Sequence, residues 1–362
     1  MRTMSTALAT LWLAACSSGD STSAMAGGKA CCQAGEKKAE ACCKGDDKKA
    51  CCLKQVVDKK YLKPAESRTF EVEYTGKVAE IPAGTKKLRV WMPVPETTSV
   101  QEIRNLTFSK EAKFSTESKY GNKIAYFEIE NPGATAEVTM KFGCTRLEIK
   151  TDLEALAKDG TDPADTFGVY KNPDKLVYVN DEIKKMAADI TKGKEGTVAK
   201  AKAIYDYVVS KMTYDKNHEG WGKGSTEHAC KVGKGNCTDF HALFNSLCRA
   251  EGIASGFEIG LYLPYGRKSD EKLGGYHCWA FFRVPGKTWV PVDCSEAARF
   301  EDKKQFLFGG HTSNRVTLST GRDITLEPKQ DGAPLNYFLN PYAEADGKTV
   351  KTDKAWSYKD LD

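Results

Sequence analysis

Histidine is scarce in this chain, with five in 362 residues, and no apolar run is long enough to cross a bilayer as a helix. A spanning helix needs roughly 18 to 20 consecutive apolar residues, and the short apolar stretch Ala7 to Ala15 falls well below that. Charge of one sign is also in short supply. The 54 basic side chains are nearly balanced by 49 acidic ones, and the formal net charge of +5 is too mild to argue for a nucleic-acid partner. No internal repeat and no calcium-site pattern are present, so an array protein and calcium dependence are not expected. What is present, 40% hydrophobic and 10% aromatic residues, can build a sizeable core, and the length suggests two domains plus additional segments.

The first sixteen residues, MRTMSTALATLWLAAC, read as an export signal. The ending Leu13-Ala14-Ala15-Cys16 resembles a bacterial lipobox, in which the signal is removed before a cysteine that is then lipidated. Cys16 is therefore the expected lipidation site. Ser17-Ser18 lacks the aspartate that often retains such proteins at the inner membrane, so an outer-membrane anchor facing the periplasm is expected. Residues 17–65 are poor in large apolar side chains, which predicts a disordered tether. Three cysteine pairs, Cys31-Cys32, Cys42-Cys43 and Cys51-Cys52, interrupt it. Clustered soft thiolates could hold a metal or form disulfides within or between chains, and incidental oxidation of a plain linker is equally open.

From about Ser67 the pattern alternates. Phe70, Val72 and Tyr74 share a face, as do Leu88, Val90 and Met92, and then Val138, Met140 and Phe142. Short strands separated by Gly and Pro turns predict a β-sandwich over residues 66–150. Residues 151–174 read as a loop region, and helical periodicity follows. Val198, Ala201, Ile204, Tyr205, Val208 and Met212 form one stripe, and Phe240, Leu243, Phe244, Leu247 and Cys248 form another, closed by Gly252. Strands return in GFEIGLYLP, GYHCWAFFRV and TWVPVDC, and residues 301–362 read as a C-terminal β extension.

The predicted second helix starts at Cys237, after Gly235-Asn236. Unpaired amides and the helix dipole favour an anion there and lower a thiol's pKa toward the nucleophilic thiolate. A base must lie nearby in space. His277 sits on one strand of a hairpin and Asp293 on the next: an odd, three-residue loop Val284-Pro285-Gly286 would place them directly opposite, whereas a two-residue loop would set His277 against Cys294 and turn Asp293 to the other side of the sheet. Asp293 can then hold the imidazole nitrogen remote from the thiol. Asp239 and His241 follow Cys237 on the same helix, where a Cys-x-x-x-His pair could grip zinc, or one could cap the helix while the other packs against a strand. Cys278 and Cys294 are expected as buried thiols rather than a disulfide.

The segments GKGNCTDFHALFNSLCRAEGI and GGYHCWAFFRVPGKTWVPVDCSEA resemble the transglutaminase-like superfamily over roughly residues 175 to 300. The resemblance implies an α+β, papain-like core in residues 151–300, with a helix-borne cysteine packed on an antiparallel sheet. It implies Cys237 as nucleophile, His277 as general base and acid, Asp293 as orienting carboxylate, no cofactor, and acyl transfer or hydrolysis at protein or peptide amides through a thioester. Trp221 and Asn236 are candidate oxyanion or substrate contacts, since some members use a tryptophan in this way, and a loop aromatic packed over the cleft is the plainer reading of Trp221. Two positions depart from the pattern. Phe281 stands where many members carry an acid after His-Ala-Trp, and Ala254-Ser255-Gly256 lacks the arginine of Pro-Ala-Arg. The competing expectation is a non-catalytic cell-envelope protein that binds peptide, or binds zinc through Cys237, His241, His277 and Asp293.

Overall fold

The alternating segments become strands because alternate side chains face a core while their neighbours face water. The computed structural model describes residues 56–158, 167–266, 273 and 275–361. The expected signal, Cys16 and the three cysteine pairs lie outside these residues. Six strands come first: β1 (Ser67–Val78), β2 (Lys87–Pro93), β3 (Gln101–Phe108), β4 (Lys113–Thr116), β5 (Lys123–Glu130) and β6 (Ala136–Leu147). A helical stretch follows, with α1 (Asp181–Thr191), α2 (Gly196–Lys211), α3 (Thr226–Val232) and α4 (Cys237–Ala250). Then come β7 (Ser255–Tyr262), β8 (His277–Val284), β9 (Thr288–Val292), α5 (Cys294–Arg299) and β10 (Arg315–Thr320). The chain ends in β11 (Tyr342–Ala345), β12 (Lys348–Val350) and β13 (Thr352–Leu361).

Two antiparallel sheets, ordered β13-β1-β6-β3 and β12-β11-β2-β5-β4, form the sheet-rich part, and a third, β9-β8-β7-β10, carries the candidate site. The sequence places the end of the sandwich at residue 150, but both of its sheets take in strands from the C-terminal segment. β13 pairs along β1 from Thr69–Leu361 to Val78–Thr352, and β11 pairs with β2. Without them β1 and β2 would be unpaired edges, so the C-terminal extension is an integral layer.

The expected tether also ends earlier than residue 65. Val57 and Tyr61 are buried, the Val57 amide donates to Ser99 Oγ at 3.2 Å, and the Asp58 amide donates to Thr288 Oγ1 at 2.8 Å. The large apolar side chains of this stretch seat it on the core. The region read as a loop over 151–174 contains two short helices, Leu153–Lys158 and Gly168–Lys171, with Leu156, Tyr170 and Asp174 buried.

One core joins Tyr74, Met92, Phe127 and Met140 of the sandwich to Ile259, Leu261 and Val316 of the third sheet. A second core packs α1, α2 and α4 against Ala280, Phe282, Val290 and Val292. α4 lies in the middle, buried at every residue from Cys237 to Arg249. A single apolar stripe is what the sequence predicts for it. Its polar residues are instead internal: Ser246 pairs with Thr226 at 2.6 Å between hydroxyl oxygens, while Asn245 Oδ1 is buried without a partner among the described residues.

Candidate active site

Local sequence builds the start of α4. Asn236 is the N-cap: its side-chain oxygen accepts from the Thr238 amide at 2.9 Å, and the Asp239 carboxylate accepts from the Asn236 amide at 3.0 Å. These two bonds make a capping box. Asp239 also accepts from the amides of Gly222 at 2.7 Å and Gly224 at 2.9 Å, which ties the loop bearing Trp221 to the helix start. Gly235 leaves room for this arrangement, because a Cβ there would run into the Asp239 carboxylate. Of the two readings for Asp239 and His241, capping and packing are what the structure shows. His241 is fully buried, its Nε2 accepts from the Cys294 amide at 3.1 Å, and its Nδ1 lies 3.7 Å from Cys278 Sγ. Burial lowers its pKa to about 4, so the ring is neutral.

Cys237 and His277 meet at the head of α4. His277 and Cys278 lie beside the Cys237 sulfur and act on its charge. His277 Nε2 lies 2.6 Å from Asp293 Oδ2, which leaves Nδ1 for the sulfur. Burial opposes a charged sulfur, yet Cys278 and the His277 imidazolium bring Cys237 down to about 5. Burial opposes a charged ring too, and the Asp293 carboxylate and the thiolate outweigh it, raising His277 to about 10. The pair is therefore a thiolate and an imidazolium around neutral pH.

Asp293 reaches His277 by a different route from the one the spacing suggests. The β8–β9 ladder pairs Val284 with Thr288 and Ala280 with Val292, so the three-residue loop is Pro285-Gly286-Lys287 and Asp293 lies beyond the last strand pair. The odd loop length stands, but its position is one residue further on. Asp293 is the N-cap of α5, accepting from the Glu296 amide at 2.9 Å and from the Ser295 hydroxyl at 3.0 Å. Helix capping thus aims the carboxylate that a strand partner was expected to supply. Arg315, on β10, donates to Asp293 Oδ2 at 3.1 Å and to Glu296 Oε2 at 2.8 Å, and its guanidinium stacks 5.0 Å from the Trp279 ring centroid. Although burial disfavours its charge, the His277 and Arg315 cations hold Asp293 well below the usual carboxylate range.

The other expected contacts fare differently. Asn236 Nδ2 donates to the Tyr276 hydroxyl at 2.9 Å. Trp221 is 39% exposed, held between Gly220 and Gly222 at φ of +88° and +81°, with the Lys216 ammonium over its ring at 5.7 Å. Cys278 and Cys294 are buried free thiols, as expected. Among the described residues, the His, Cys, Asp and Glu donors that come within 4.8 Å of one another are His277, Asp293 and Glu296, not the four-residue set containing His241. Arg315 already bonds both carboxylates of that trio.

The two sequence departures turn out to be one. Gly256 and Phe281 are direct cross-strand partners, and a Cβ on Gly256 would strike the Phe281 ring. Phe281 also packs against Trp289 and Tyr170 at 5.0 and 5.7 Å between ring centroids. An aromatic ring over a glycine fills the space where a long charged side chain would not fit. A half-buried acid still serves this strand: Glu258, across from Trp279, accepts from its indole N–H at 2.5 Å. Arg315, Glu296 and the Cys278 contact were not visible in the sequence, since no spacing links residue 315 to residue 293.

Residues 184–294 match the family model of the transglutaminase-like superfamily. An uncharacterized protein of Haemophilus influenzae is 27% identical over 315 residues, spanning 75% of this chain and 85% of its own. The crystal structure of a provisionally assigned cysteine protease from Cytophaga hutchinsonii is similar in fold, with a TM-score of 0.55 and 14% identity, covering 82% of this chain and 92% of that one. The stretch from 184 to 294, which carries Cys237 at a helix start, His277 at a strand start and Asp293 at a helix cap, belongs to the transglutaminase-like superfamily.

Proposed function

We propose that this protein is a cysteine enzyme that acts on amide carbonyls of proteins or peptides by acyl transfer or hydrolysis. The observation that carries the reading is the buried His277–Asp293 pair at 2.6 Å, whose imidazolium charge holds the neighbouring Cys237 thiol down to about 5. The Cys237 thiolate attacks the carbonyl carbon, and the developing oxyanion is drawn to the backbone amides at the start of α4. The His277 imidazolium then protonates the departing amine as the tetrahedral intermediate collapses to a thioester. Water or an amine attacks the thioester and gives its proton back to His277. Asp293 keeps one tautomer and one ring orientation throughout.

Arg315 and Glu296 fit this reading, because they let a carboxylate stay ionised in a dry site without leaving an unpaired buried charge. The N-terminal pattern adds that the protein is exported and anchored to a membrane through Cys16, at the outer membrane facing the periplasm, with no nucleic-acid partner. Incubation with a peptide library followed by mass spectrometry tests the chemistry. A covalent acyl adduct on Cys237 that is absent in Cys237→Ala, and slower to form in His277→Ala, is expected. A Cys237 no more reactive to iodoacetamide than in denatured protein, and unaffected by His277→Ala, overturns the reading.

A further inference from the structure

Two histidines that the relay does not use meet each other. His218, in the loop that leads into α3, and His228, on α3, bring their Nε2 atoms to 3.0 Å. Their ring planes are 3° apart and their centroids 5.1 Å apart. The nitrogens are much closer than the centroids, so the rings meet edge to edge through those two atoms rather than face on face. Gly220, at φ of +88°, permits the approach, because a Cβ there would stand 3.1 Å from His228 Nδ1 in a backbone conformation that other residues rarely adopt.

The surroundings of His218 leave a lone pair at that contact. Its Nδ1 is buried, has no hydrogen-bond partner among the described residues, and faces Asp215 Oδ2 at 3.9 Å. The Asn217 amide donates to the other Asp215 oxygen at 2.8 Å and the Lys234 ammonium stands 3.6 Å from Oδ2, so the carboxylate stays ionised. An anion beside Nδ1 favours the tautomer with its proton there, and Nε2 is then a bare lone pair at the contact with His228. A carboxylate at the far nitrogen of an imidazole is also the arrangement that orients metal-bound histidines.

We propose that His218 and His228 bind one divalent transition-metal ion of the zinc, nickel and copper class through their Nε2 atoms, the ion replacing the proton the two rings share. Two imidazole nitrogens on one tetrahedral zinc stand roughly 3.3 Å apart, so the observed 3.0 Å calls for only a slight opening of the pair. Nitrogen ligands suit this class of ion, whereas magnesium and calcium take oxygen. The His218 side chain is 19% exposed, so solvent reaches the pair and water completes the coordination. The ion joins the loop bearing Trp221 to α3. That loop hangs by the Gly222 and Gly224 amides on Asp239, which closes the capping box ahead of the α4 helix turn, so the same ion steadies the head of the helix that carries Cys237.

The inference does not use acyl transfer, and its test reads the histidine rings. The full chain, labelled with nitrogen-15 in its histidines, is titrated with zinc chloride to an excess over all its thiols and followed by NMR, alongside His218→Ala, His228→Ala and Asp215→Asn. In the parent protein the Nε2 signals of His218 and His228 are expected to move together to saturation, while those of buried His241 and His311 stay in place. The ring left in either histidine variant is expected to bind at least about ten-fold more weakly, and Asp215→Asn to weaken the pair by about ten-fold. Ring signals that respond to acid but not to zinc would make the contact a plain hydrogen bond and overturn the proposal. A His228 shift as large and as tight in His218→Ala as in the parent overturns it too. The parent and Asp215→Asn titrations decide the matter even if a histidine variant fails to fold.

Discussion

Burial by itself silences a thiol. Cys144 is pushed up to about 12, and Cys248 and Cys294 go well above the ordinary value, each chiefly by desolvation. Cys237 is just as buried and moves the other way, because Cys278 and the His277 imidazolium stabilise the anion. Two limbs follow. Below about 5 the thiolate gains a proton and is lost, and above about 10 His277 loses the proton it must give to a leaving amine. Iodoacetamide labelling of Cys237 is therefore expected to rise through about pH 5 and stay high in alkali, whereas amide turnover is expected to be bell-shaped, falling again near pH 10. In His277→Ala the imidazolium is gone, so the labelling midpoint moves above the free-thiol value of about 8.5 and turnover falls by about 10²- to 10⁴-fold. A labelling midpoint unchanged by that substitution would mean the ring does not charge-pair with the sulfur.

At the scale of elements, the site is three termini brought together: the start of α4, the start of β8 and the cap of α5. The cap on α4 does two jobs, since Asp239 holds both its own helix and the 222–224 loop. Asp239→Ala removes an acceptor for three buried or half-buried amides and is expected to destabilise the fold by about 1–3 kcal/mol, measured by urea denaturation, with faster hydrogen exchange at Gly222 and Gly224. Arg315→Met takes the guanidinium away from buried Glu296 and leaves Asp293 with His277 alone, a loss of about 3–5 kcal/mol. If it folds, Asp293 loses one of the cations that hold it low, so its pKa rises, the acid limb of turnover moves to higher pH, and Arg315→Lys restores part of the shift. An acid limb identical in all three proteins would leave Arg315 a purely structural residue. The hairpin shows what was legible at this scale. The odd loop and the side of the sheet could be read from spacing, but the loop's position could not, because the strand ends where α5 needs Asp293 as its cap.

At the scale of the molecule, the sandwich and the third sheet share one hydrophobic core, and Cys237 and Cys278 belong to that same cluster. The C-terminal strands complete both sandwich sheets, and β10 both completes the third sheet and delivers Arg315. A chain ending at residue 340 would expose β1 and β2 as edges and strip Trp356 and Tyr358 from the core. Loss of a cooperative thermal transition is expected for it, followed by circular dichroism, together with loss of rapid Cys237 labelling. A truncated protein that melts as sharply as the full chain would show that the layers are energetically separate. The chain order that makes residues 301–362 read as a trailing extension says nothing of this, since pairing between β1 and β13 spans nearly the whole described chain.

Local chemistry determined much of this protein in advance. Periodicity marked α2, α4 and the strands, because burial on one face imposes a repeat of 3.6 or 2 on the residues that can occupy it. A cysteine after Gly-Asn at a helix start, and a histidine and an aspartate on the two arms of a hairpin, were visible as types and spacings. Only the tertiary structure decided what surrounds them: that Arg315 bonds Asp293, that Gly256 and Phe281 are one packing pair, that Cys278 lies against His241, and that the last strands close the first sheets. These are contacts between segments far apart in sequence, set by how whole layers dock, and no local pattern encodes the distance between side chains on different layers.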